Sequence, residues 1–387
     1  MPPLVELAIV FLKLGTFSFG GPAAHIAMME AEVVRRRQWI SREEFLDLLG
    51  AVNLIPGPNS TELAIHIGAR RAGWTGLLVA GTCFIFPAFI IVGIIAWAYV
   101  RFGKLPQVEG ILYGVKPIII AVVLQALWSL GRTALKTRSL ALLALADIVA
   151  GFLGVHELLL LFGSGALMAA LKIKDRRKAG KNAARSFSAA FSNAKFAAGS
   201  LPGLVGVGVG AAGATFSLGK MFLVFVKIGS LLFGSGYVLL AFLRADFVER
   251  LHWLTGNQLL DAVAVGQFTP GPVFTTATFI GYLLRGPMGA LAATVGIFLP
   301  AFFFVALSAP FLPRLRASPL AGGFLDGVNT ASLSLMGLVS WQLGRSTLQD
   351  WLSVSLFIAG LILLFRFKVN TGWLVLGGAL AGLLAHS

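Results

Sequence analysis

The sequence predicts an all-α polytopic membrane protein made of two homologous helical repeats, and three observations predict it. Of 387 residues, 57% are hydrophobic and 12% charged, whereas a soluble chain carries about 25% charged residues. Apolar runs such as Thr75 to Val100, Pro117 to Leu130, Phe298 to Phe311 and Leu352 to Phe365 approach or reach the ~20 residues that span a bilayer. None alternates with the period of two that a β-barrel needs. Finally, Phe11 to Pro58 aligns without a gap on Phe225 to Pro272, with 15 identities in 48 positions. Lys13, Gly15, Phe19, Gly20, Trp39 and Asp47 meet Lys227, Gly229, Phe233, Gly234, Trp253 and Asp261, and Pro56-Gly57-Pro58 meets Pro270-Gly271-Pro272. One residue of slippage later, Gly76 and Pro87 fall opposite Gly289 and Pro300. Two halves broken at matching places are the pattern of an internally duplicated transporter. The expected division is a first repeat over 1–171, a basic cytoplasmic linker over 172–196, and a second repeat over 197–387 that opens with one extra helix.

The first segment, Leu4 to Val34, is interrupted at Phe19-Gly20-Gly21-Pro22 and reads as two short helices of about 15 residues, each rising only ~23 Å. Whether the pair crosses or re-enters stays open. No basic leader precedes it, so it reads as a retained helix and not a signal peptide. Ser41 to Ala69 carries positive charge at both ends, Arg35, Arg36, Arg37 and Arg42 before it and Arg70 and Arg71 after it, and Pro-Gly-Pro breaks its middle. That combination reads as a re-entrant hairpin. Thr75 to Val100 then goes out and Gly110 to Leu130 comes in. Leu140 to Val155 and Leu158 to Leu171 form a hairpin turning at His156-Glu157.

The net charge of +15 concentrates in loops, above all Lys172 to Lys195 with Lys174, Arg176, Arg177, Lys178, Lys181 and Arg185. In a chain this apolar, such a loop marks the cytoplasmic side and meets anionic lipid headgroups of the bilayer; it does not point to nucleic acid. The single cysteine, Cys83, excludes an internal disulfide. If the apolar stretch Ala197 to Phe216 spans, every later element is inverted, and the loop charges agree. Arg35, Arg36, Arg37 and Arg42 become Arg244, Asp246, Glu249 and Arg250, which sum to zero, while the His156-Glu157 turn becomes Arg366 and Lys368. Inverted repeats with broken, re-entrant half-helices are the expectation.

The breaks carry the chemistry. Proline removes a donor and clashes inside a helix, so the upstream helix should end near Ile55, and Asn59, Ser60 and Thr61 suit the start of the next. The new half-helix presents free N–H groups and the positive end of its dipole within the membrane, where an anion is the natural occupant. Candidate substrate-binding residues are Lys13, Gly20, Gly21, His25, Asn59, Ser60, Thr61 and Glu62, and in the second half Lys227, Gly234, Ser235, Thr275 and Thr276. Pro22, Pro56, Gly57, Pro58, Pro270, Gly271 and Pro272 are the breaks themselves, and a kink serving only as a hinge is the competing reading. Lys13 and Lys227 either attract a dianion or snorkel to an interface. Glu32, Arg36 and Asp47 are candidates for proton coupling or salt bridging, and His25 for donation to an oxyanion or for packing. No His, Cys and carboxylate spacing suggests a metal site or nucleophilic triad, and no cofactor is expected. Gly208-Val-Gly210-Ala-Ala-Gly213 fits a dinucleotide fingerprint but follows no strand, and no phosphate loop of an ATP-driven pump is present.

Phe-x-Lys-Leu-Gly-x-x-Ser-Phe-Gly-Gly-Pro at Phe11 to Pro22, His25, Glu32, Trp39, Pro56 to Glu62 and Gly-x-Phe-Leu-Pro-Ala-Phe at Gly296 to Phe302 resemble the chromate ion transporters, in their long two-domain form. The resemblance covers nearly the whole chain. It implies a transporter, not an enzyme, that exports chromate from the cytoplasm across the bacterial inner membrane and confers chromate resistance, with sulfate as the related oxyanion. A homodimer stays open, and a membrane-embedded enzyme or a sensor are the readings from other classes. The second half departs from the first at its breaks: Ser235-Gly236 replaces Gly21-Pro22, Leu239 replaces His25, and Val273-Phe274-Thr275-Thr276 replaces Asn59-Ser60-Thr61-Glu62. Equal binding by the two halves is therefore in doubt.

Overall fold

The apolar runs form helices whose order repeats element for element. The computed structural model describes residues 3–18, 21–103, 105–179, 216–233, 238–308 and 318–385, and no strand occurs among them. The first half comprises α1 (Pro3–Phe17), α2 (Gly21–Glu30, extended by a π-helical stretch Ala31–Arg36), α3 (Arg42–Val52), α4 (Asn59–Phe102), α5 (Pro106–Ala134), α6 (Arg138–Phe152) and α7 (Glu157–Ala179). The second comprises α8 (Leu218–Leu231), α9 (Leu239–Leu243, extended by a π-helical stretch Arg244–Arg250), α10 (Gly256–Phe268), α11 (Thr276–Ser308, after a 3-10 turn Val273–Thr275), α12 (Pro319–Thr347), α13 (Trp351–Arg366) and α14 (Thr371–Ala385). Ser41 caps α3 and Thr255, with Gln258, caps α10, each at the position where the other repeat has its own cap.

Both long helices contain a reversal. Ala72 and Gly73 leave helical geometry at φ −147° and 61°, and Arg285 and Gly286 do so at −149° and 60°. The positive φ suits glycine, which has no Cβ to clash. Beyond each reversal the chain folds back, so that Gly68 packs on Gly76 and Ala80, and Gly281 on Gly289 and Ala293. α4 and α11 are thus each a hairpin of a short arm and a long arm. Asn59–Phe102, Gln107–Arg132 and Val273–Ser308 hold stretches long and apolar enough to cross a membrane.

Small residues set the packing, as expected where lipid removes the hydrophobic drive between helices. Gly15 of α1 lies against the Phe84 carbonyl on the long arm of α4, and Gly229 of α8 lies the same way against Ile297 of α11. The halves also interlace. Gly114 of α5 packs on Gly378 and Gly382 of α14, and Gly327 of α12 packs on Ser164 and Gly165 of α7. α5 also meets its counterpart α12: a Cβ on Gly131 would stand 3.7 Å from Leu333, and one on Gly344 would stand 3.9 Å from Ile120, so these two helices run antiparallel. Trp74, Trp97, Trp128, Trp341, Trp351 and Trp373 are exposed near helix ends, the level at which tryptophan settles in a bilayer interface.

Two boundaries differ from expectation: α7 continues past Leu171 to Ala179, into the stretch read as linker from Lys172, and α3 ends early. α3 stops at Val52, not near Ile55, because Leu54 N–H turns back to the Ala51 carbonyl and the residues before Pro56 leave the helix early. Residues 309–311 of the Phe298 to Phe311 run lie outside the described residues. The extra stretch Ala197 to Phe216 lies, except for Phe216, outside the described residues, as do Phe19, Gly20, Gly234, Ser235 and Gly236.

Candidate functional site

The break after Pro58 builds a polar tip. Pro58, held extended at ψ 98°, is the N-cap of α4 and offers no side chain to the first turn. Its carbonyl takes the Thr61 and Glu62 N–H groups at 2.8 and 3.0 Å, while Asn59 and Ser60, as the first two helical residues, have no intrahelical acceptor. His25 of α2 is 1% exposed and bridges this turn to the end of α1. Its Nε2 lies 3.1 Å from the Ser18 carbonyl and its Nδ1 lies 3.3 Å from Ser60 Oγ. A carbonyl only accepts, so Nε2 carries the proton, and in the neutral ring Nδ1 accepts from the Ser60 hydroxyl. Asn53 donates to the Leu49 carbonyl at 2.9 Å and Asn59 donates to Asn53 Oδ1 at 2.7 Å, which fixes the Asn59 amide.

What remains at the tip is unsatisfied. Among the described residues, eleven buried side-chain N and O atoms lack a hydrogen-bond partner, and six belong to Ser18, Asn59, Thr61, Glu62 and His66. Glu62 is fully buried, and neither carboxylate oxygen is bonded. It packs over Gly57, where a Cβ would collide with Oε1. Buried polar atoms are nearly always paired, so such a concentration marks a place that something else completes. Of the other five, Asp246 and Asp261 face ammonium groups at 2.6 and 3.2 Å and are paired electrostatically.

The second repeat brings its own tip to the same place with different chemistry. Gly57 N–H donates to the Leu232 carbonyl at 2.6 Å, and Gly271 N–H donates to the Ser18 carbonyl at 3.1 Å. Ser18 and Leu232 are equivalent positions, so each Pro-Gly-Pro reaches into the α1 or α8 break of the other repeat. The Ser18 carbonyl accepts from both His25 and Gly271 and joins the two tips. The second tip spends its hydroxyls locally: Thr269, Thr275 and Thr276 donate to the Val265, Pro272 and Val273 carbonyls at 2.8 Å each.

The other charged candidates stand away from the tips. Lys13 is exposed on α1, outside the buried stripe of Leu7, Val10, Phe11 and Leu14. Lys227 pairs with buried Asp246 at 2.6 Å, and Arg250 shares that carboxylate. Glu32, at the equivalent position to Asp246, is held by Arg36 at 3.3 Å and Arg37 at 2.9 Å. Burial raises its pKa, but the hydrogen bonds from Arg37 and Arg36 outweigh burial and leave Glu32 below the ordinary carboxylate range. Asp47 is exposed on α3. Its counterpart Asp261 is 3% exposed, accepts from Tyr99 Oη at 2.9 Å and faces Lys116 at 3.2 Å. Lys116 and Tyr99 have no local signal that sequence reading could use, since their partner is more than 140 residues away. Ser18 had one: it is the polar residue just before the break. No metal-holding cluster occurs among the described residues.

A sequence model of the chromate transporter family matches this chain twice, over residues 5–169 and 219–383, the same two spans that the helices duplicate. A probable chromate transport protein of Synechococcus elongatus is 32% identical over 99% of this chain and 96% of its own length. Chromate transport proteins of Cupriavidus metallidurans and Pseudomonas aeruginosa are 32% and 33% identical, each over 99% of this chain and 93% of their own length. No solved structure matches it.

Proposed function

The chain belongs to the chromate transporter family, and from that premise we propose that it is a secondary transporter that carries chromate out of the cytoplasm through the meeting point of its two Pro-Gly-Pro tips. The observation that carries this reading is the set of buried, partnerless groups on Ser18, Thr61 and Glu62 beside the open start of α4. Hydroxyls of Ser18 and Thr61 and the Asn59 and Ser60 N–H groups supply donors, and the α4 dipole adds positive potential. The first repeat binds; the second closes the site through Gly271, whose N–H shares the Ser18 carbonyl with His25.

Glu62 decides the coupling. A charged carboxylate would repel a dianion, whereas a protonated one donates a hydrogen bond to it. The reading therefore gives Glu62 a proton when chromate is bound, and chromate and proton leave together. Glu32 is the weaker candidate because two arginines already hold it.

The reading also takes the repeats as inverted about the tips, which lets breaks at Gly21-Pro22 and the two Pro-Gly-Pro sequences hinge in alternating access. Antiparallel α5 and α12 support this. So does the meeting of groups assigned to one side: Arg250 contacts Glu157 at 3.1 Å, and Arg132 shares a cavity with Lys368. Chromate flux from liposomes that contain only this protein, under an imposed voltage and without nucleotide, tests the proposal. Flux that sulfate competes for equally would assign a broader oxyanion range, and absence of flux under every gradient would reject transport by this chain alone.

A further inference from the structure

Away from the tips, the end of α5 and the turn between α13 and α14 line an open cavity of about 690 Å³, within the ~300–1,000 Å³ of small-ligand sites. Its charged residues are Arg132 and Lys368, both exposed, and neither has an ion-pair or hydrogen-bond partner among the described residues. Gln125, Ser129 and Thr371 add polar groups. Thr371 opens α14, whose first N–H groups have no intrahelical acceptor, and Asn370 Oδ1 fixes that turn by accepting from Gly372 N–H at 2.8 Å. The surrounding sequence adds Lys136, Arg138 and Arg366, with no acidic residue over 126–146 or 351–387 to neutralise them. Positive potential here is contributed by both repeats.

Part of the cavity lining is apolar and aromatic. Trp128 and Phe365 belong to it, 62% and 46% exposed, with their rings edge to face at 6.5 Å. Leu124 and Ile362, on the same helices, are exposed too. A free inorganic anion has no use for exposed aromatic lining, whereas an amphiphile uses both the apolar and the basic parts, and tryptophan near a helix end is an interfacial residue.

We propose that this cavity binds the phosphodiester of an anionic phospholipid, with Arg132 and Lys368 on the phosphate and Trp128 and Phe365 against the first acyl carbons. Basic pockets between membrane helices take headgroups on charge and shape together. The test is native mass spectrometry of the full chain in neutral detergent, titrated with phosphatidylglycerol, with phosphatidylcholine, or with inorganic phosphate at matched ionic strength. Retention of phosphatidylglycerol over phosphatidylcholine, weakened at least tenfold in Arg132→Gln/Lys368→Gln and kept in a control variant of Arg101, an exposed arginine in the last turn of α4 (Arg101→Gln), is the expected result. Lys368→Gln alone, at an exposed turn, gives the same direction should the double variant not fold. Equal retention of both lipids, or unchanged retention in the variants, overturns the proposal. Competition by millimolar inorganic phosphate would overturn the lipid assignment in favour of a free phosphate site.

Discussion

Replacing Glu62 with glutamine removes one titratable site and leaves the shape of the tip nearly unchanged. Its consequence can be computed. Each elementary charge crossing 100 mV is worth about 2.3 kcal/mol, so an uncoupled chromate dianion gains about 4.6 kcal/mol. A tenfold concentration ratio is worth about 1.4 kcal/mol, so it is balanced by about 30 mV for two charges and about 59 mV for one. The buried geometry offers one carboxylate at the tip, hence one proton, and wild-type protein should show the one-charge slope. One unit of pH gradient should shift its reversal potential by about another 59 mV. Glu62→Gln carries no proton and should fall back to about 30 mV per tenfold chromate, indifferent to pH. The assay is chromate flux in liposomes clamped with potassium and valinomycin, at fixed chromate ratios and two pH gradients. A wild-type slope near the two-charge value with no pH shift refutes the reasoning even if the variant is inactive. So does a variant that keeps the pH shift.

Three further outcomes follow from the packing. Gly271→Ala forces a side chain onto φ +85°, with its Cβ 2.7 Å from that of Ala88; left-handed strain of about 1–2 kcal/mol and overpacking of about 1–3 kcal/mol should lower the thermal midpoint in detergent, and an unchanged midpoint would mean the tips are not held together there. Asp261→Asn strands Lys116 and should destabilise by about 3–5 kcal/mol, with Lys116→Met in the same chain recovering much of that; failure to recover would show that the pair does not act as a unit. Single cysteines at Arg36 and Arg250 in a Cys83→Ser background should label from opposite sides of a membrane vesicle, and labelling from one side would remove the inverted arrangement.

Much of the fold was legible because proline and glycine act locally. Gly21-Pro22 opens α2 just after the break that ends α1, Pro56-Gly57-Pro58 and Pro270-Gly271-Pro272 each separate two helices, and the recurrence announced the duplication that α1 to α7 and α8 to α14 display. Sequence could not announce partners. Lys13 and Lys227 are identical in the alignment, yet Lys227 is bound to Asp246 while Lys13 stands exposed, because pairing depends on which helix arrives alongside. The same limit hid Tyr99 and Lys116 around Asp261. It also hid the difference between the tips: Thr275 and Thr276 match the hydroxyls of Ser60 and Thr61 in kind, but a 3-10 turn brings the Pro272 and Val273 carbonyls within their reach. The departures at Leu239 and Val273 to Thr276 were readable hints of that asymmetry.

The central claim, that the anion is held by the first tip, meets its most direct test in two matched double variants. Ser60→Ala with Thr61→Val removes the partnerless Thr61 hydroxyl and the Ser60 hydroxyl that holds His25 beside the open start of α4, and Thr275→Val with Thr276→Val removes hydroxyls already satisfied by backbone. Chromate affinity of each, measured from the concentration dependence of liposome flux at equal protein incorporation, separates the sites. Loss of the one Thr61 hydrogen bond to a charged ligand is worth about 1.5–3 kcal/mol. The account predicts at least a tenfold loss of affinity for the first pair and less than a twofold change for the second. Equal losses, or a loss confined to the second pair, would contradict it.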